Sequence, residues 1–136
     1  MEFPPYFPRK SYFQKVNKVN IHEKLALIND YWNPKVVGEI NGQQVRLVKL
    51  LGDDFDFHHH PNDEMFFVVK GEIDLEFQDE KINLCEGDFY IIPKGTVHRP
   101  VAKEEAEIML FVNAGNINTG DIQNNYTLDS SNLENI

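Results

Sequence analysis

Cysteine is almost absent from this chain. Cys85 stands alone in 136 residues, so no internal disulfide forms. A secreted domain built on disulfides is thereby excluded, and a reducing compartment is the expectation. Basic charge is also scarce: 13 Lys and Arg face 22 Asp and Glu, for a net charge of −9. That balance argues against a nucleic-acid partner, whose phosphates need a positive surface. No apolar run approaches the roughly 20 residues that cross a bilayer. The start, MEFPPYFPRKSYF, lacks the basic-then-apolar order of a signal peptide. A cytoplasmic address without membrane or nucleic acid is expected. Three reactive motifs are missing as well: G-x-x-x-x-G-K-[ST], G-x-S-x-G and C-x-x-C.

What is present suits one globular domain. The chain is 41% hydrophobic and 12% aromatic, enough to build a core unaided. Residues 1–33 read as an extended arm followed by one short helix. In the arm Pro4, Pro5 and Pro8 oppose helix, while Phe3, Tyr6, Phe7, Tyr12 and Phe13 want burial, on their own domain or a neighbouring subunit. The helix candidate is NIHEKLALINDYW, 20–32. Asn20 and Glu23 have capping-box spacing; Ile21, Leu25 and Ile28 keep the helical period, and Pro34 stops it.

Residues 34–114 change to a strand pattern. KVVGEI and QQVRLVKLL flank Asn41-Gly42, a hairpin signal. EMFFVV and EIDLEF meet at Lys70-Gly71, and KINLCEG, DFYIIPKG and AEIMLFVNA follow. At least seven short strands with glycine and proline at their corners predict an all-β sandwich or barrel. Residues 115–136 are a polar extension with the composition of a disordered tail unless a contact, such as one with a partner chain, holds it.

The chemistry gathers around HHHPNDE, residues 58–64, which holds three of five histidines. In a strand, His58 and His60 project to one side and His59 to the other. Two imidazoles so placed can grip one ion. If the chain turns at Pro61-Asn62-Asp63, Glu64 comes back beside them. His98, after the corner PKGTV, is the remaining histidine outside the helical segment, where His22 reads as a surface residue. Three imidazoles and a carboxylate suit one divalent transition metal ion: Fe, Mn, Zn, Ni or Co. Metal binding needs neutral imidazoles, so occupancy is expected to fall below about pH 6.

These spacings resemble the cupins. The first cupin motif, G-x5-H-x-H-x3-E-x6-G, is filled by Gly52, His58, His60, Glu64 and Gly71. The second, G-x5-P-x-G-x2-H-x3-N, is filled by Gly87, Pro93, Gly95 and His98, with Ala102 in place of asparagine. The resemblance implies a six-stranded β-barrel core extended into a jelly-roll. It also implies a metal inside the barrel on His58, His60, Glu64 and His98. Ala102 lies outside that ligand set. The motifs cover residues 52–102, and the strand pattern extends the likeness to 35–114, leaving the arm and helix outside it.

Strand alternation places Phe66 and Val68 beside Glu64, and Pro100 beside His98. The last strand offers either Ile108 and Leu110 or Met109 and Phe111. Tyr90 and Arg46 sit on neighbouring strands. Tyr90 reads as a hydrogen-bond donor or a core residue, Arg46 as a carboxylate binder or a surface cation. Cys85 reads as a small core residue rather than a nucleophile. No further acid or base presents itself, so any reaction rests on the metal. The resemblance implies a metal-dependent enzyme on a small molecule, similar to quercetin dioxygenase or the mannose-6-phosphate isomerase-like small cupins. A sugar-phosphate substrate would need a basic pocket, for which only Arg46, Lys49, Lys94 and Arg99 are near. The competing reading is a non-catalytic sugar- or acid-binding sensor acting through a partner. The aromatic arm and polar extension suggest a homodimer.

Overall fold

The computed structural model describes residues 18–136; the aromatic arm expected at the N-terminus lies outside the described residues, apart from its last positions. The chain forms a short helix, α1 (Ile21–Leu25), and seven strands: β1 (Lys35–Ile40), β2 (Gln43–Gly52), β3 (Glu64–Lys70), β4 (Glu72–Phe77), β5 (Lys81–Cys85), β6 (Phe89–Ile92) and β7 (His98–Asn113). The expected all-β jelly-roll is what forms.

All strand pairs are antiparallel. One sheet runs β1-β2-β7-β3-β6, and a second is made of β5, β4 and the start of β7. β7 therefore belongs to both. Its first residues, His98 to Val101, pair with β4; its later ones, from Ala106 onward, lie between β2 and β3. The bend between them is lined by Ala102 and Ala106, both fully buried. Sequence reading did not join the two halves of this strand, because Lys103, Glu104 and Glu105 interrupt the apolar pattern at the bend.

Two glycine positions set the path. Asn41 and Gly42 both have positive φ, 51° and 78°, the signature of a type I′ hairpin turn. Lys70-Gly71 does not close a hairpin. Gly71, at φ 86°, is the corner where the chain leaves one sheet for the other. A Cβ there would lie 3.0 Å from the Glu105 carbonyl oxygen.

Inward positions of the strands fill the barrel. Val48, Leu50, Phe66, Val68, Ile73, Leu75, Leu84, Ile92, Ile108 and Leu110 form its buried core. Met109, with Val37, Val69 and Ile21, faces outward against a second cluster of Leu25, Ile28 and Leu47. Cys85, expected in the core, is exposed; Leu84 takes the inward place on β5, and alternation turns its neighbour out.

The helix is shorter than its periodicity suggests. Asn20 does cap it, its side-chain oxygen accepting from the Glu23 N–H at 2.9 Å. After Leu25 the chain is pulled away to the sheet. Trp32, at φ 61°, donates its backbone N–H to Lys49 and its indole N–H to Leu51, both at 3.0 Å.

The polar extension is held by this chain itself. The Val36 N–H donates to Glu134 at 2.8 Å, and the Ile136 N–H to Val36 at 3.1 Å. Tyr126 packs on Phe55 and Trp32.

Candidate metal centre

Three local devices bring the histidines together. His58 and His98 face each other across an isolated antiparallel bridge, each N–H donating to the other's carbonyl at 2.9 Å. The loop after His60 is tied to the Pro93–Thr96 corner: Gly95 donates to the His60 carbonyl at 2.8 Å, and the Lys94 N–H to Asp63 Oδ1 at 2.9 Å. Glu64 is the first residue of β3, whose inward positions are Glu64, Phe66 and Val68. The turn expected at residues 61–63 thus returns Glu64 to the two histidines. His58 and His60 are not in a regular strand, yet the alternation holds. Both are 3% exposed, while His59 turns outward to Asp121.

The result is a buried polar knot. One ring nitrogen from each of His58, His60 and His98 lies within 4.8 Å of the others, and these three histidines could hold a metal ion. Glu64 lies between two of them, with Oε2 3.4 Å from His60 Nε2 and Oε1 3.4 Å from His98 Nε2. Four of these atoms have no hydrogen-bond partner: His60 Nδ1 and Nε2, Glu64 Oε1 and His98 Nε2. Buried polar atoms left unpaired cost roughly 1–3 kcal/mol each. A cation at their meeting point would satisfy Glu64 Oε1, His98 Nε2 and one of the two His60 nitrogens, so the donor set fits a divalent ion of the borderline class.

Outer hydrogen bonds fix which nitrogens face inward. Nδ1 of His58 lies 2.8 Å from the Asp56 carbonyl, and Nδ1 of His98 lies 2.8 Å from the Thr96 carbonyl. A carbonyl only accepts, so each Nδ1 carries the proton and leaves Nε2 with a free lone pair. Burial also disfavours charge on His58 and His60. It pushes His58 down to about 4 against the Asp56 hydrogen bond, and lowers His60 from the ordinary value. Proton competition at His58 therefore begins well below the pH of about 6 expected of an ordinary imidazole. At Glu64 burial works to raise the pKa, but His98 and then the charge of His60 outweigh it and lower it.

Above the knot sits a small cavity of about 40 Å³. Its walls include Phe66 and Pro100, as alternation suggests, together with Val48, Leu50 and Leu110; of the two phases open to the last strand, Ile108 and Leu110 are the inward pair. Tyr90 instead packs on Phe77 beside the core. Arg46 is fully buried, neither a surface cation nor a free carboxylate binder. It donates to the carbonyls of Asn116 at 2.9 Å and Ala114 at 3.1 Å, and to Gln44 Oε1 at 3.0 Å.

Trp32, Phe55, Asn116 and Asn118 are among the wall residues that sequence reading does not find. Trp32 stacks on Phe55 with ring centres 4.8 Å apart. Asn116 is 5% exposed and donates from Nδ2 to Glu64 Oε2 at 3.3 Å. The motifs carry no trace of these residues.

The family model for the Cupin domain matches residues 50–113. A crystal structure of a cupin-2 domain protein from Shewanella frigidimarina NCIMB 400 is 42% identical, with a TM-score of 0.68, over 70% of this chain and 93% of that one. This chain belongs to the cupin family. Protein NMB1881 from Neisseria meningitidis is 33% identical, with a TM-score of 0.66, over 71% of this cupin and 99% of that chain. Among curated proteins, the uncharacterized protein YdbB of Bacillus subtilis (strain 168) is 43% identical over 65 residues, 46% of this chain and 57% of YdbB. This cupin spans just over half the length of the curated relatives it matches, 57% and 54%. No helix among the described residues is long and apolar enough to cross a membrane.

Proposed function

We infer that this cupin binds one divalent transition metal ion through His58, His60, Glu64 and His98, and uses it to act on a small molecule. The observation that carries this reading is the set of unpaired buried atoms converging from His60, Glu64 and His98. When bound, the ion would supply Lewis-acid or redox chemistry. The chain supplies neutral imidazoles, one carboxylate and a largely apolar wall that excludes bulk water.

The wall favours an oxygenase-like reaction over a sugar-phosphate isomerase. Arg46 is the one cation lining the cavity among the described residues, and backbone carbonyls engage its fork. Arg99 is turned to Glu76 and the Asp53 carbonyl. Lys94 lines a separate outer depression with His59 and Asp121. A phosphate would find no free positive partner. The lack of any free acid or base in the cavity also keeps a second reading, a non-catalytic small-molecule sensor.

Assembly as a homodimer is supported by the exposed apolar side chains Phe89 and Ile91 on the β6 edge, next to Phe67 and Met65.

The test is direct. Untagged protein should carry about one equivalent of Fe, Mn, Ni, Co or Zn per chain by elemental analysis. Protein that holds no metal, and is stabilised by none of these ions, would sink the reading. Metal-dependent oxygen uptake with a panel of uncharged aromatic and enol substrates separates enzyme from sensor.

A further inference from the structure

The cavity above the metal centre is walled on one side by the chain's own extension, through Asn116 and Asn118. After β7 the backbone crosses the barrel mouth, and each part of it is fastened to a residue near the site. Arg46 grips the carbonyls of Ala114 and Asn116. Gly120 lies so close to His59 that a Cβ would come within 2.2 Å of the His59 carbonyl oxygen and 3.0 Å of His58 Cδ2. The Asp121 N–H donates to His59 O at 3.1 Å, and Asp121 Oδ1 accepts from the His59 N–H at 2.9 Å. Asn124 donates to Asp56 Oδ2 at 2.9 Å. Residues 114–128 thus form a strap over the site.

One side chain of the strap reaches the metal-binding set. Asn116 Nδ2 donates to Glu64 Oε2, and Oε1, the other oxygen, has no hydrogen-bond partner. The residue that carries this amide is held by its backbone: its main-chain carbonyl accepts from the buried Arg46 and its main-chain N–H donates to the Asn113 carbonyl at 2.9 Å. The carboxylate is thereby differentiated, one oxygen taken by an amide and one left for an ion.

We propose that Asn116 is a positioning residue that orients Glu64 toward the metal and couples the strap over residues 114–128 to occupancy of the site. The proposal rests on the metal reading above. A bare ion fits beneath the strap and strengthens it. An organic ligand does not fit in about 40 Å³, which is room for a water or two, whereas ligand sites run to hundreds of Å³. Its entry lifts the strap and releases Glu64 Oε2 from Asn116. Ion and organic ligand therefore act on the strap in opposite directions.

The test uses the full chain with Co²⁺ as the probe, read by calorimetry, by its visible ligand-field bands and by hydrogen exchange. Asn116→Ala should bind Co²⁺ about 10- to 100-fold more weakly with altered bands, because both Glu64 oxygens become available. Asn118→Ala is the control. Asn118 ties the strap to itself through Tyr126 and Leu128 without a hydrogen bond to Glu64, so exchange in residues 114–128 should rise while the bands stay put. If the alanine variant of Asn116 does not fold, Asn116→Ser carries the same comparison. Wild-type protein should show slower exchange in residues 114–128 once Co²⁺ is bound. Wild type that takes up no Co²⁺ overturns both readings. Wild type that binds it, with an Asn116 variant of equal affinity and unchanged bands, overturns this one alone.

Discussion

His58 and His98 are joined by their backbones, not their rings: two hydrogen bonds of 2.9 Å run between them, one in each direction. The imidazoles hang from this bridge with ring centres 4.6 Å apart. Replacing both with alanine leaves the bridge intact. The His58→Ala, His98→Ala double variant should keep its strand circular dichroism and lose the ion by elemental analysis. It should also lose the metal-linked stabilisation, about 2.7 kcal/mol for wild type at a hundredfold excess of metal over Kd.

Acid should weaken the metal-free protein earlier than it weakens most small domains. Burial holds His58 at about 4, below its ordinary 6.5, so the unfolded chain takes up this proton first as pH falls. A depressed histidine contributes stability that is complete above 6.5 and is lost on the way down to about 4. His60 is shifted the same way, and lowered Glu64 adds a loss below its ordinary 4.5. The expected loss from His58 alone is about 3 kcal/mol, read as a falling Tm across this window. A Tm that is flat between pH 6.5 and 4.5 would contradict the buried neutral imidazole.

Arg46 is a structural cation. Arg46→Met keeps the apolar stem but leaves the carbonyls of Ala114 and Asn116 without their donor. Stability in urea should fall by about 2–4 kcal/mol, the cost of buried acceptors left unpaired. Arg46→Lys should recover only part, since an ammonium cannot reproduce the planar fork.

Gly120 and Gly71 differ in what surrounds them. Both have positive φ, 59° and 86°, so alanine costs about 1 kcal/mol or more at either on conformation alone. At Gly71 the new Cβ would sit 3.0 Å from a carbonyl oxygen, and at Gly120 it would sit 2.2 Å from one. Gly120→Ala should therefore be the more damaging. Its damage should appear as proteolysis within residues 114–128, while Gly71→Ala should lower the Tm of the whole barrel.

How much of this was legible in the sequence follows from the kind of information each part needs. His58, His60, Glu64 and His98 are found by spacing, because turns of fixed length carry them to one point. Phe66, Val68 and Leu110 follow from strand alternation. The strap does not, since a run such as NINTGDIQNN has no apolar period, and its order comes from single hydrogen bonds to distant loops. Arg46 was left undecided between an inward and a surface place for a related reason. A lone arginine on a strand reads as solvent-facing, and only the return of residues 113–116 over the barrel gives it carbonyls to bind. Cys85 fell on the wrong face because alternation needs a phase, which Leu84 supplies only once the core is known.

The strand shared by the two sheets has a consequence for how this protein is made. β7 pairs with β2, β3 and β4, yet it leaves the ribosome after all the other described strands. At roughly 5–20 residues per second, the apolar faces of the earlier strands wait seconds for their common partner. Long-range pairing of this kind is slow in any case. The nascent chain is therefore most vulnerable to aggregation just before residues 98–113 emerge, and a ribosome paused in that interval would hold a barrel with its central stave missing.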